Sequence, residues 1–341
     1  MSWLQAIRKG TDRPPAEDVL ILGPHGTGKS TFARAAPDPV VICADAHEAA
    51  DMPDDVPNMT PVRWDDSDDQ PFNPADPSML GFLRMLAREE HPFKSIVTDT
   101  LTSAQTFCEQ QVCTAHNVST VAEIPYGKGP GYLASAWRPF VALLEECNKR
   151  GLHVIRVAHV EVKRWKNPDG GDWDQWVAQL DPGLAKLASQ GASNVLFSLP
   201  EMHAAKIGEK KTGDQKTIGT GSGKFIMRTT YSATVAGKER LFLPDEMDVS
   251  WAAFQIAAQE GRKIRTRLDR AIRTLSLVKQ GAAEKYLCEN RYSRDAALNI
   301  IAQVEKTKSA ATTTNGKTQA NAATPATTTT ATETTKENTA S

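Results

Sequence analysis

The sequence predicts an α/β fold: a mostly parallel sheet flanked by helices on both faces, with an antiparallel extension along one edge. Three observations carry this expectation. Short apolar runs recur at Val19–Leu22, Val40–Ala44, Ser95–Thr98, Leu152–Ala158 and Asn194–Leu199, most of them separated by helix-length segments; a strand buried on both faces reads as such a continuous run. A glycine-rich turn, Gly23–Ser30, joins the first run to a helical segment. After Leu199 the chain becomes rich in Gly and Lys, then β-prone at Lys224–Val235 and Arg240–Leu243, where antiparallel strands are expected.

Taken in order, 1–17 is an N-terminal segment and 18–255 is the core. The strand Asp18–Leu22 is followed by a helix, Lys29–Ala36, that stops at Pro37. Between Asp51 and Asp76 eight aspartates stand against one arginine, which predicts a solvated loop with little regular structure. From Ser250 the pattern is helical, and 256–305 forms a basic helical extension. The segment 306–341 is almost entirely Thr, Ala, Asn, Lys and Glu; it has too little apolar area to offset its ordering entropy and is expected to be disordered.

The 341 residues are 40% hydrophobic and 24% charged, and 40 Lys and Arg against 41 Asp and Glu give a net charge of −1. That balance excludes a uniformly basic protein and leaves any polyanion-binding surface to local charge. His203–Arg240 carries eight cations against three acids, and Arg262–Lys285 eight against two. No apolar run approaches the roughly 18–20 residues of a spanning helix, and Met1–Pro15 has no apolar stretch like that of a signal peptide, so a soluble, cytoplasmic protein without a membrane partner is expected. Five scattered cysteines suggest neither a disulfide framework nor a zinc ribbon.

Gly23-Pro24-His25-Gly26-Thr27-Gly28-Lys29-Ser30 fits the pattern of a phosphate-binding loop between strand and helix. Its glycines let backbone N–H groups wrap a phosphate, Lys29 reaches the β- and γ-phosphates, Ser30 ligates Mg²⁺, and Thr31 follows in the helix. A nucleotide site of this kind needs an acidic residue on a neighbouring strand, and Asp99 at the end of Ser95–Asp99 supplies it as the second metal group. ATP and Mg²⁺ are the cofactors implied. Thr100 follows Asp99, so a general base has to come from elsewhere; Asp45-Ala46-His47-Glu48, after the second strand, offers carboxylates beside the loop. His159 ends another strand, where its imidazole could meet the γ-phosphate or the attacking water. Gly219–Lys224 looks like a second phosphate loop, but Ile218 stands where the first glycine is required, and it is read as a mobile turn.

These residues resemble RecA-core ATPases, in particular phage-encoded nucleotide-binding proteins associated with single-strand annealing and recombination. The likeness spans roughly residues 18–255 and rests on the phosphate loop with "TFARAAPDP", on "VVICADAHEAAD", "SIVTDT", "YGKGPGYLASAWRPFVALLEECNKRGLHVIRVAH" and "GKERLFLPDEMDVSWAAF". It implies a RecA-like P-loop core, ATP hydrolysis coupled to DNA binding, and assembly into a homo-oligomeric ring or filament. In the bacterial recombinase the acidic turn resembles Asp-Ala-Glu-His; here His47 holds the glutamate position, leaving Glu48 as first choice for the base and Asp45 as second. Lys238 and Arg240 resemble a lysine-x-arginine element that reaches a neighbouring subunit's γ-phosphate.

In such proteins the loops after the metal-aspartate strand and after the sensor strand face DNA. The first carries Tyr126, Lys128 and Tyr132; the second carries Lys163, Arg164, Trp165 and Lys166, then Trp173 and Trp176. Rings stack on exposed bases while cations follow phosphates, which suits single strands. The expected activity is that of an ATP-dependent phage recombination protein that binds single-stranded DNA and promotes annealing or strand pairing, with a single-strand DNA-binding protein as a further partner. A DNA-translocating motor or helicase, and an ATP-gated scaffold or loader, are the alternatives.

Overall fold

The computed structural model describes residues 16–45, 49–50, 52–65, 72–167, 170–207, 216–232, 234–235 and 237–320, with side chains except at 202–207, 216–221 and 310–320. The chain divides into two compact units, Met1–Arg262 and Lys263–Ser341.

In the first unit, β1 (Asp18–Leu22), β2 (Pro39–Cys43), β3 (Asn58–Met59), β4 (Ser95–Asp99), β5 (His153–Ala158), β8 (Asn194–Ile207), β9 (Lys216–Arg228) and β10 (Glu246–Asp248) form one sheet in the order β10-β9-β8-β1-β5-β4-β2-β3. From β8 to β3 every pairing is parallel, while β9 and β10 are antiparallel. This is the mostly parallel sheet with an antiparallel extension that the apolar runs implied. Side chains alternate across the sheet. Leu20, Leu22, Ile42, Ile96 and Val154 face one layer of helices: α2 (Met79–Arg88), α3 (Leu101–His116), α4 (Gly129–Lys149) and α5 (Pro182–Gly191). Val19, Ile21, Val41, Val97 and Ile155 face the other layer, α1 (Lys29–Arg34) and the first turns of α6 (Trp251–Arg273), through Phe32, Trp251 and Phe254.

A separate two-stranded hairpin, β6 (Val160–Trp165) and β7 (Trp173–Ala178), leaves the sheet immediately after β5. Lys163, Arg164 and Trp165, expected in a loop there, lie on an antiparallel ladder instead, where they pair with Gln175, Asp174 and Trp173 across the hairpin.

Three further expectations are corrected. Gly219–Lys224 is no mobile turn but part of β9, its backbone paired with β8 as Met202 with Gly221 and Ala204 with Gly219; the neighbouring strand supplies ladder partners that local propensity cannot reveal. Arg240–Leu243 is not a strand: the Glu239 carboxylate accepts from the amides of Leu241 and Leu243 and folds the segment into a turn. The acidic stretch after Asp51 also contributes to the core, since Trp64 is 1% exposed, stacks on Trp137 at 5.1 Å and donates from Nε1 to the Ala136 carbonyl at 3.1 Å.

The second unit contains the last turns of α6, then α7 (Leu277–Glu289) and α8 (Arg294–Ala320). Ile264, Leu268 and Ala271 of α6, Leu287 of α7, and Ala297, Ile300, Ile301 and Val304 of α8 are its buried apolar residues. Helix α8 runs to Ala320, past Lys306 where the apolar pattern ends: extending a nucleated helix costs far less than starting one. Residues 321–341 of the expected tail, and 1–15 of the N-terminal segment, lie outside the described residues. Among the described residues no helix is long and apolar enough to cross a membrane.

Candidate functional site

The carboxyl ends of the parallel strands gather the site. Leu22 stands opposite Ala158 of β5 and Phe197 of β8, so the chain from Gly23 onward emerges between those strands. Gly26 at φ +73° and Gly28 at φ +80° adopt the left-handed region that side chains disfavour. A Cβ on Gly23 would run into the Ser198 carbonyl oxygen, so this glycine lets the loop lie directly on β8. The loop is braced from both sides. Thr27 Oγ1 donates to the Pro24 carbonyl at 2.9 Å, and the Ser198 hydroxyl donates to the Thr27 carbonyl at 2.5 Å. Lys29 is buried, and its ammonium donates to the Pro24 carbonyl at 2.6 Å, inside the loop it would leave to meet a phosphate.

Asp99, at the end of β4, is 4% exposed, and the Ser30 hydroxyl hydrogen-bonds its carboxylate. Burial raises its pKa above the ordinary carboxylate value, opposed by Ser30, Arg34 and Lys29. Oδ1 of the same carboxylate is buried with no hydrogen-bond partner. A hydroxyl and a buried, incompletely satisfied carboxylate are hard oxygen donors, so Ser30 and Asp99 fit Mg²⁺. Bound there, Mg²⁺ supplies charge neutralisation at phosphate oxygens.

Thr100 caps α3, its hydroxyl accepting from the Ser103 amide at 3.2 Å, so the position after Asp99 serves the helix. Asp45 emerges beyond β2, whose Cys43 pairs with Asp99, and is therefore the described carboxylate of the acidic turn that stands at this edge of the sheet. Glu48, with Ala46 and His47, lies outside the described residues.

His159 follows β5, and its ring stacks on that of His25 at 3.7 Å with an interplanar angle of 24°. Burial, with Lys29 and His25 nearby, pushes its pKa down to about 4, so the imidazole is neutral near pH 7. Its backbone is tied on both sides: the amide donates to Thr102 Oγ1 at 3.4 Å, and the carbonyl accepts from the Gln179 amide at the foot of the hairpin. His159 thus has its ring on the phosphate loop and its main chain at the root of β6–β7.

The remaining expected residues are dispersed. Lys238 pairs with Val195, which stands opposite Leu20, and its ammonium donates to the carbonyls of Ser189, Gln190 and Ala192 at 3.0, 3.3 and 2.6 Å. In the protomer it caps the carboxyl end of α5. The helix end holds three carbonyl acceptors that need a donor. Arg240 is exposed, with its amide donating to Asn194 Oδ1. On the hairpin, Lys163, Arg164, Trp165 and Lys166 are all exposed; Lys163 pairs with Glu161 at 2.8 Å and Arg164 with Asp174 at 3.4 Å, while Trp165 stacks on Trp173 at 6.4 Å. Trp176 turns inward against Phe197. Lys128 lies over the ring of Tyr126, itself 93% exposed, in a separate turn before α4.

Sequence reasoning missed Ser198, the partnership of His25 with His159, and Val249, whose methyl is the nearest neighbour of Gly28. The first and last carry no motif; a histidine inside the phosphate loop together with one at a strand end was the single available hint.

Fold and site together define a P-loop ATPase domain. Residues 16–241 match the family model described as an AAA domain, and the chain belongs to that family. Among solved structures, the crystal structure of the flagellar accessory protein FlaH from Methanocaldococcus jannaschii is similar at 11% identity over 67% of this chain and 89% of that one, with a TM-score of 0.27. No curated protein matches the sequence.

Proposed function

We propose that this protein is a Mg²⁺-dependent ATPase that works on single-stranded DNA as a homo-oligomer, promoting annealing or strand pairing. The observation that carries the enzymatic part is the Ser30 hydroxyl on the Asp99 carboxylate beside the buried Lys29, a metal and phosphate site already assembled within one protomer. Loop amides and Lys29 bind the phosphates; Ser30 and Asp99 hold the metal; Asp45 or Glu48 takes a proton from water. His159 senses whether a phosphate occupies the loop. The DNA part is supported by the Trp165–Trp173 stack on an exposed hairpin rooted at that same histidine. A single-strand DNA-binding protein is a natural co-factor of such an activity.

Phosphate release with Mg²⁺, measured with and without single-stranded DNA, tests the whole reading. Lys29→Ala is expected to abolish turnover, and Asp99→Asn to lower it at least about 100-fold. Full activity in Lys29→Ala removes the nucleotide claim, and turnover indifferent to DNA removes the coupling.

The placement of Thr100 as a helix cap, where a carboxylate would otherwise stand beside Asp99, favours a second reading in which ATP chiefly gates a DNA loader. In that case annealing needs ATP but survives the combined Asp45→Asn and Glu48→Gln substitutions.

A further inference from the structure

The hairpin poses a problem of charge. Its rings suit bases, yet Lys163 and Arg164 are held by Glu161 and Asp174 on the same hairpin, which weakens their pull on a phosphate backbone. A polyanion is followed best by a row of cations, and the second unit presents one.

Within that unit the outward face of α6 carries Lys263, Arg267, Arg270 and Arg273. Spacings of three and four residues carry them along the exposed side of the helix, with Arg267 bordering the buried Ile264, Leu268 and Ala271. At about 1.5 Å per residue they span roughly 15 Å. The one acid of this stretch, Asp269, is exposed four residues before Arg273, and Arg267 reaches Glu305 of α8 at 2.9 Å. Surface helices ordinarily mix signs at these spacings, because like charges three or four residues apart repel and destabilise the helix. Here, in a chain of net charge −1, five cations stand against Asp269 alone between Lys263 and Arg273. Just past Arg273 the same unit opens a cleft of about 570 Å³ with a largely apolar wall that includes Leu275, Ile300 and Val304, and with Lys279, Tyr286 and Lys308 also lining it. The ammonium groups suit a phosphate, while the Tyr286 ring and the apolar wall suit the face of an unstacked base. Ile264, Leu268 and Ala271 are buried, so this stretch of α6 turns no apolar stripe outward.

We propose that the helical unit Lys263–Ser341 is a second nucleic-acid contact, in which the Lys263–Arg273 face follows the phosphate backbone of a single strand and the adjoining cleft takes a nucleotide. The inference deepens the single-stranded DNA reading and rests on it for the class of ligand. In this division of labour the hairpin supplies stacking and the helical unit supplies charge.

The test uses the full chain with ATP and Mg²⁺ and a fluorescent oligothymidylate, with affinity measured across a series of salt concentrations. Each phosphate contact on a single strand contributes about −0.7 to the slope of log affinity against log salt. Neutralising Lys263, Arg270 and Arg273 together to Gln should therefore flatten the slope by about 2. Thermal melting of the variant should match or exceed the wild type, since a repulsion is removed. An unchanged slope overturns the proposal. Trp165→Ala separates the two readings: if it weakens binding while the triple variant keeps the wild-type slope, the hairpin reading stands and this one falls. If the triple variant flattens the slope while Trp165→Ala binds normally, the reverse holds. No binding of the oligonucleotide by the wild type removes both. Vesicles containing phosphatidylserine provide the last arm: salt-sensitive vesicle binding lost in the triple variant, with oligonucleotide binding intact, would assign the face to a membrane and overturn the proposal.

Discussion

Replacing Arg156 with Met should destabilise the first unit by about 3–5 kcal/mol, the cost of leaving one member of a buried ion pair without its partner. Arg156 is fully buried on β5, and its guanidinium donates to both oxygens of Asp18 on β1, at 2.6 and 3.3 Å, with Asp18 itself 5% exposed. Burial already raises the Asp18 pKa despite the opposing pull of Arg156 and Lys238, so the carboxylate tolerates its place only because the guanidinium is there. In a domain whose total stability is about 5–15 kcal/mol, the loss takes a large share; at about 2–4 °C per kcal/mol it lowers the melting temperature by roughly 10 °C. The pH dependence has a definite sign. Removing Arg156 pushes the folded-state pKa of Asp18 further above its unfolded value of about 3.9, so the deficit is full above that raised pKa and shrinks as pH falls towards 3.9, where both states bind the proton. Thermal denaturation followed by circular dichroism from pH 7 down to pH 4 measures both effects. Adding Asp18→Leu to the Arg156→Met variant should recover most of the loss, since the orphaned charge is gone. A deficit below about 1 kcal/mol, or no recovery in the double variant, would refute the reasoning.

Two further outcomes follow from the site. Lys238→Met should cost about 1–3 kcal/mol of stability, because three carbonyls at the end of α5 lose their donor; ATP turnover per folded molecule should be unchanged, and lost turnover at undiminished stability would point to the trans-acting role. His159→Phe keeps a ring against His25 and removes a titrating group. The imidazole's folded-state pKa is depressed to about 4, so its contribution to stability is present above about pH 6.5 and is lost as pH falls through 4. Between those values the wild type should lose stability faster than His159→Phe, and parallel melting curves would show that the ring does not titrate in the stack.

Much of this molecule is legible in its residues alone. The parallel strands announce themselves as apolar runs because both faces are covered, and Asp99 stands out as an acid closing such a run. Legibility fails where a residue's environment is supplied by a distant strand or helix. Trp64 sits amid aspartates, yet α4 provides a stacking partner and a carbonyl acceptor that draw it into the core. Gly219–Gly221 has the composition of a turn, yet β8 gives its backbone a ladder. Lys238 stands in a Lys-x-Arg pattern that gives no sign of the carboxyl end of α5, which offers its ammonium three acceptors.

The sequence by itself determined the phosphate loop and its chemistry, because the bonds that shape it run between near neighbours, Thr27 and Lys29 to the Pro24 carbonyl, and its positive φ angles demand glycine where glycine stands. Only the tertiary structure decided what that loop touches. Ser198 meets Thr27 across 171 positions, and Arg156 meets Asp18 across 138. His25 meets His159 because β5 lies beside β1 in the sheet. Strand order is set by the packing of whole layers, which alternation of apolar residues shows to exist but does not arrange. The placing of His159 between the phosphate loop and the root of the hairpin is therefore a property of the fold.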